Sequence, residues 1–428
     1  MPSDGTLGDA GRVGDETVSS HTALQANESP PEVKMVLDIQ SPSREELVAR
    51  ASELVPLIRE RSQWIDENRR LPADVIEGIE RSGLLKMRVP ARYGGYQSDA
   101  RTLIDVHAEI ARGDSSTAFC VSVWSLINWI AGLYPDEVQD EVFATPNSRV
   151  CGTLAATGKA APKNGGYVLN GEWRFNSGVL HSHWKLVVAE PDEAGAAEGP
   201  IMAILPASSF EVVDDWHTHG LRGSGSVSVR AHDVYVPKER VRPVMEFFDE
   251  QCKSETNSAE PIYQVPMLVT STVATAGQCV GAAEAAIEHF LNRLPGRKIT
   301  YTDYETQQTA PLTHLQVGEA TLLAEEARLR ARTFADLVDA KAARNEPWTQ
   351  AERIRSRVEM GRVAQLAQQS IRIISTASGG SSIYNDVPIQ RIHRDIETIA
   401  LHALTSPNTN IELLGRHLCG LEPNTTYL

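Results

Sequence analysis

The sequence predicts an α+β fold that is mostly α: an N-terminal helical domain, a central β-barrel-like domain and a C-terminal four-helix bundle. Three observations carry that expectation. Apolar residues recur at helical spacing from Ser43 to Glu141, the period switches to two between about Arg149 and Arg242, and long helical patterns resume after Pro243. The divisions fall at 1–41, an acidic tail expected to be disordered, then at 42–148, 149–242 and 243–428.

The tail holds seven carboxylates against two basic residues and shows neither period. A Ser-x-x-Glu capping box, Ser43 and Glu46, opens the first helix, in which Leu47, Ala51, Leu54, Leu57 and Ile58 share one face. Pro72 starts a second helix with Val75, Ile76 and Ile79. Helices Thr102–Ala111 and Ser116–Leu133 follow, the last apolar almost all round and so a core helix.

In the central segment Tyr167-Val168-Leu169 is expected to reach a turn at Asn170-Gly171 and to resume at Trp173-Arg174-Phe175. Lys185–Ala189, Ile201–Leu205, Ser226–Arg230 and Val234–Val236 read as further strands, and Glu190–Gly199 as a polar surface insertion. Beyond it, Pro266–Leu294, Leu312–Glu346, Thr349–Ser375, Ile389–Leu404 and Asn410–Cys419 fit the helical period. The first is rich in Ala and Gly, which permits close helix approach.

Composition narrows the function. With 428 residues, 41% of them hydrophobic, the chain can bury a sizeable core. The net charge is −15 and no Lys/Arg-rich block occurs, so the expected partner is a small molecule rather than nucleic acid or an anionic membrane. Five scattered cysteines contain no CxxC pair, so neither a metal site nor a disulfide framework is expected. The longest apolar stretches, such as Met267–Gly277, are too short to span a bilayer, and the first residues lack an apolar signal core; the expected location is the cytoplasm.

Three sets of local sequence carry more specific information. The first is Val89-Pro90-Ala91-Arg92-Tyr93-Gly94-Gly95 followed by Gly113-Asp114-Ser115-Ser116-Thr117-Ala118. The second runs from Gly171 to Trp184, with Gly220–Ser226 and Val234-Tyr235-Val236-Pro237 behind it. The third is Pro388-Ile389-Gln390-Arg391-Ile392-His393-Arg394-Asp395, with His402 seven residues after the aspartate. Together with the helix–strand–helix layout, they resemble the acyl-CoA dehydrogenase fold superfamily over about residues 44–420.

Two chemistries compete within that resemblance. A dehydrogenase needs a carboxylate to take the α-proton of an acyl thioester. In the family that Glu stands eight residues after the Arg-Asp pair, where this chain has Ala403; the alternative place on the first bundle helix is also bare, since Pro261–Ala283 holds no Asp or Glu. The second set is instead similar to the flavin-dependent monooxygenases, the oxygenase components of two-component systems. Their recurring Gly-x-Trp-x-Phe-x-Ser-Gly-x-x-His-x-x-Trp string is matched at Gly171, Trp173, Phe175, Ser177, Gly178, His181 and Trp184.

The resemblance implies reduced flavin, FADH2 or FMNH2, supplied by a separate NAD(P)H:flavin reductase, and O2 activated as a C4a-(hydro)peroxyflavin. It implies Ser177 and His402 as catalytic groups near flavin N5 or the peroxide, with His181 as a third. Thr153, Trp173, Phe175, Ser177 and Arg222 would border the cofactor. Arg297 and Lys298, with Ser378, Gly379 and Gly380, would reach the flavin phosphate of a neighbouring subunit, which makes a homo-oligomer, a tetramer, the expected assembly.

No histidine stands on the Thr117–Leu133 helix, where many phenol hydroxylases of this type carry one. Trp124, Asn128 and Trp129 would there line a pocket for a larger, flat substrate, an aromatic or indole-like polycyclic natural-product intermediate; an amino sugar undergoing N-hydroxylation is the alternative. A dehydrogenase with a displaced base and a silent scaffold remain open. Plainer roles compete at each position: a hairpin turn for Ser177-Gly178, strand-edge packing for His181 and Trp184, an interhelical hydrogen bond for His402, core packing for the tryptophans and a solvated pair for Arg297-Lys298.

Overall fold

A computed structural model describes residues 41–192 and 199–428. The acidic tail, apart from Ser41, and the middle of the expected 190–199 insertion lie outside the described residues. Helices α1 (Arg44–Asn68), α2 (Ala73–Ser82), α3 (Ala100–Gly113), α4 (Ser115–Ala131) and α5 (Asp136–Val142) come first. The Ser43 capping box is formed: Ser43 Oγ accepts from the Glu46 amide at 3.2 Å and the Glu46 carboxylate accepts from the Ser43 amide at 2.7 Å. Asp114 caps α4 from a buried position, accepting from the amide and hydroxyl of Thr117.

Among the described residues seven strands follow: β1 (Val150–Lys163), β2 (Gly166–Trp173), β3 (Trp184–Pro191), β4 (Ile201–Pro206), β5 (Glu211–Val213), β6 (Ser228–Pro237) and β7 (Val241–Pro243). They form one sheet in the order β5-β6-β2-β1-β3-β4-β7, parallel between β1 and β3 and antiparallel elsewhere, with β5 and β7 at its edges. β3 is buried on both faces. Trp184, Leu186 and Val188 pack with Ile127, Trp129 and Ile130 of α4, while Val187 and Ala189 turn toward Leu169, Trp173, Phe210 and Val229.

The expected turn at Asn170-Gly171 is a correction. β2 runs unbroken from Gly166 to Trp173, and Asn170-Gly171 instead forms a bulge against β6, where the Asn170 side chain exchanges hydrogen bonds with Asp233 and the register slips between Leu169 and Gly171. The hairpin turn lies six residues earlier, at Asn164-Gly165, whose φ angles of 50° and 78° are those the two-residue turn requires. The strand also stops at Trp173, because Phe175 takes φ 61°. β1 escaped the sequence pattern altogether: its small residues Gly152, Ala155, Ala156 and Gly158 alternate weakly, and register shifts interrupt it between Gly152 and Gly158.

Helix α6 (Val244–Phe248) leads into the bundle: α7 (Met267–Arg293), α8 (Pro311–Ala343), α9 (Gln350–Ala377), α10 (Pro388–Ala400) and α11 (Pro407–Leu418). α10 ends four residues earlier than the period suggests, so His402 stands in a turn, its amide bonded back to the Ile399 carbonyl. α7 is clamped against α3 through two glycines. A Cβ on Gly277 would lie 2.4 Å from the Ile104 carbonyl oxygen, and one on Gly281 would lie 2.0 Å from that of Ala108.

This contact makes a stability test. Gly281→Ala cannot be absorbed by a side-chain rotation, because the obstacle is backbone; it should destabilise the fold by about 3 kcal/mol. Differential scanning calorimetry should register a fall in Tm of roughly 6 °C or more.

Candidate active site

The site is built around the turn that ends β2. Trp173 is fully buried, its Nε1 donating to the Val188 carbonyl at 2.7 Å and its ring set edge-on to Phe210. Its side chain belongs to the sheet's core, which corrects the expectation that it borders a cofactor. Phe175 does the opposite: it is 67% exposed and rests edge-on against Trp216. Asn176 is wholly buried, donating to the carbonyls of Trp173 and Val227 and accepting from Lys185 Nζ, so the turn is pinned from beneath. Burial pushes the Lys185 ammonium down to about 8. Ser177 follows, 7% exposed, its hydroxyl 2.7 Å from that of Ser226. Thr153 lies half-buried on the irregular part of β1, its hydroxyl accepting from the Ala155 amide at 3.4 Å.

The 221–226 loop is held from the bundle. Asp395, at 1% exposure, accepts from the Leu221 amide at 2.7 Å, so α10 grips this loop directly. Burial and the nearby Asp114 carboxylate push the Asp395 carboxyl up to about 7. Arg391 stands between these acids, with Nε 3.9 Å from Asp114 and a terminal nitrogen donating to Ser62 Oγ. Arg222 spends two donors on the carbonyls of Asp66 and Thr218, which makes it a brace for this loop.

His402 is reached by solvent, yet enough protein surrounds it that burial, with the Arg357 charge, pushes its pKa down. Its Nδ1 accepts from the Leu404 amide at 3.2 Å, and its ring meets Phe119 edge-on at 6.5 Å. Phe119, Val123 and Leu126 lie at i, i+4 and i+7 of α4; the last two are half-buried on an otherwise buried helix. Sequence reasoning missed this stripe, although its spacing was readable.

The expected pocket residues on α4 face the other way. Trp124 donates to Ser182 Oγ, Asn128 joins the Ser148 carbonyl to the Val150 amide, and Trp129 donates to the Ile262 carbonyl while stacking on Tyr263. All three are at most 1% exposed, with their polar atoms satisfied inside the protein, and act as packing. His181 is likewise a strut: its Nε2 accepts from the Leu71 amide at 3.2 Å, and burial with the charges of Arg149 and Arg70 drives it down to about 4, leaving a neutral ring already engaged.

A second cluster forms where α7 ends. Arg297 donates to the Ser378 carbonyl at 2.7 Å and to Ser381 Oγ at 3.2 Å, joining two segments that the sequence had paired. The Ser378 hydroxyl is not part of the surface, since it donates back to the Ile374 carbonyl; Ser381 takes its place, while Gly379 and Gly380 are exposed. Arg293, Arg297, Lys298, Thr300 and Ser381 line an open hollow of about 480 Å³. Arg293 Nη1 is buried without a partner, and burial with the Arg297 charge lowers its pKa. An unpaired guanidinium nitrogen beside two more cations is a donor set for an anion.

These features meet those of known proteins. The acyl-CoA dehydrogenase N-terminal domain model matches residues 44–144 and the acyl-CoA dehydrogenase C-terminal domain model matches 273–407, together more than half of the chain. The chain belongs to the acyl-CoA dehydrogenase superfamily. Among curated relatives, a pigment production hydroxylase of Rhodococcus sp. is 28% identical over 375 residues, 87% of this chain and 96% of that one. The flavin-dependent monooxygenase oxygenase subunit HsaA of Mycobacterium tuberculosis is 27% identical over 397 residues, 91% and 99% of the two chains. The solved structure of XiaF from Streptomyces sp., in complex with FADH2 and glycerol, superposes with a TM-score of 0.84 at 28% identity, covering 90% of this chain and 98% of that one. Within the superfamily the chain therefore stands in the flavin-dependent monooxygenase branch, with the oxygenase components of two-component systems.

The Asp395 carboxyl gives a pH test. Its pKa in the fold lies above the unfolded value, so the native state holds a proton that the unfolded chain has released, and stability drains away as pH rises from about 4 to about 7. Asp395→Asn keeps an acceptor for the Leu221 amide without ionising. Urea titrations should find it close to wild type near pH 4 and more stable by on the order of 2 kcal/mol at pH 8.

Proposed function

We propose that the protein takes reduced flavin, FADH2 or FMNH2, from a separate NAD(P)H:flavin reductase and uses O2 to hydroxylate an aromatic or indole-like polycyclic molecule. The observation that carries this reading is the pair His402-Ala403: a neutral, solvent-reached imidazole and a methyl group occupy the stretch where a dehydrogenase of this superfamily holds its carboxylate base.

The residues fit a flavin. The unpaired Arg293 nitrogen, with Arg297, Lys298 and the Ser381 hydroxyl, would hold its phosphate; Ser177, Thr153 and the exposed Phe175 ring would face its ring system. Bound reduced flavin supplies the two electrons that activate O2. The chain's own part is to exclude water and to hold protons. Phe119, Val123 and Leu126 would give a bound flat ring an apolar wall. Because His402 Nδ1 accepts from the Leu404 amide, its proton sits on Nε2, which is then the nitrogen able to donate to a ligand.

The assembly is read as a homo-oligomer, a tetramer, in which the Arg293–Ser381 hollow serves the neighbouring subunit's flavin. A line of exposed leucines supports it: Leu315, Leu322 and Leu329 on α8, 73%, 64% and 66% exposed, repeat every seven residues, the spacing of a helix-pairing seam.

Stopped-flow mixing of the protein and anaerobically reduced flavin with O2 tests the reaction. A slow, multiphasic return of the oxidised-flavin spectrum is expected, and a single phase at the rate of free flavin would overturn the reading. His402→Ala and Ser177→Ala should each shorten the slow phase by about tenfold or more and raise H2O2 release; unchanged kinetics in both would remove them from the mechanism. In light scattering, the Leu322→Arg, Leu329→Arg double variant should run as a smaller species and lose flavin affinity, and an unchanged mass would place the subunit contact elsewhere.

A further inference from the structure

Three buried serines stand in line under the turn that carries Ser177. Ser177 Oγ lies 2.7 Å from Ser226 Oγ, Ser226 Oγ lies 2.7 Å from Ser224 Oγ, and Ser224 donates to the Leu221 carbonyl at 2.7 Å. Their exposures are 7%, 3% and 2%, so only the first can meet a ligand.

A hydroxyl has one proton to give. Ser224 gives its own to Leu221, so it can only accept from Ser226; Ser226 is thereby spent and can only accept from Ser177. The far end of the line is fixed. The Leu221 carbonyl also accepts from Trp216 Nε1 at 3.0 Å, its amide is held by Asp395, and its backbone sits in the left-handed region at φ 49°. Reversing the line would leave two buried oxygens, Ser224 Oγ and Leu221 O, 2.7 Å apart with no proton between them, at the cost of one buried hydrogen bond.

We propose that Ser226 and Ser224 are positioning residues that commit the Ser177 proton inward, so that Ser177 meets the flavin as an acceptor and the site selects reduced over oxidised flavin. The inference rests on the reading that Ser177 faces flavin N5. In reduced flavin that nitrogen carries a hydrogen and donates; in oxidised flavin it offers a lone pair. An acceptor suits the first and opposes the second. Selection of this kind releases the spent cofactor and admits the next reduced one without competition.

The test is equilibrium binding of FAD and FMN, and anaerobically of their reduced forms, to the full chain. Wild type should favour the reduced form by about tenfold or more. Ser226→Ala frees the Ser177 proton to point at the ligand, so affinity for oxidised flavin should rise about tenfold while that for reduced flavin changes by less than about threefold. The potential of the bound flavin should fall by ~30 mV, the two-electron equivalent of tenfold. Ser224→Ala, which cuts the line at its anchor, should shift the ratio in the same direction, and Ser226→Thr should restore it. A ratio unchanged in both alanine variants would overturn the proposal while leaving the oxygenase reading intact. A wild type that binds neither form of flavin would instead bring down that reading and the proposal with it.

Discussion

Asp395 carries a carboxyl group where almost no water reaches it, and its one hydrogen bond to the Leu221 amide joins the helical bundle to the loop that supports Ser177. Ionising a carboxyl in such a place is costly, and the second acid at Asp114 adds to the cost. What the arrangement provides is direction. Leu221 is held in a backbone conformation that a branched side chain disfavours, and from it the geometry of Ser224, Ser226 and the turn at Ser177 follows. α10 also braces the same region through Arg394, which donates to Asp66. The central sheet is thus placed by contacts from helices on both sides of it in sequence.

The clamp between α7 and α3 does the same for the helical layers. Where Gly277 and Gly281 meet the Ile104 and Ala108 carbonyls, the two helices lie closer than any side chain would permit. α4 packs beside them, its N-terminus fixed by Asp114, so the apolar stripe from Phe119 to Leu126 is presented by a rigid element rather than a loop. The polar ends of the site come from the opposite kind of structure: Ser177 and His402 both sit in short turns whose backbones are tied down by several hydrogen bonds.

Periodicity made the helices and most strands legible, because burial on one face leaves a repeat that needs no partner to be seen. It failed at β1, whose small residues repeat weakly, and at Asn170-Gly171, where a strong turn signal was used for a bulge while Asn164-Gly165 made the turn. At the site, the family string located Ser177 and the His402 turn, but not which way side chains point. Trp173, Trp124, Asn128, Trp129 and His181 all carry groups fit for a pocket, and each is consumed by an internal partner that only the fold reveals. Arg293 was missed for the converse reason: nothing in a sequence shows that a guanidinium will lack a partner.

The two faces of α4 divide labour in a way that bears on how such a protein can change over generations. Trp124, Asn128 and Trp129 tie the helix to the segment before β3, to the sheet and to the segment before α7 with hydrogen bonds. Phe119, Val123 and Leu126, by contrast, are apolar and make no such ties, and the last two are only half-buried. Exchanging them among hydrophobic residues of different size would recontour this face while leaving the scaffold's anchoring bonds untouched. The preference for one ring system over another can therefore drift quickly in a lineage whose architecture stands still.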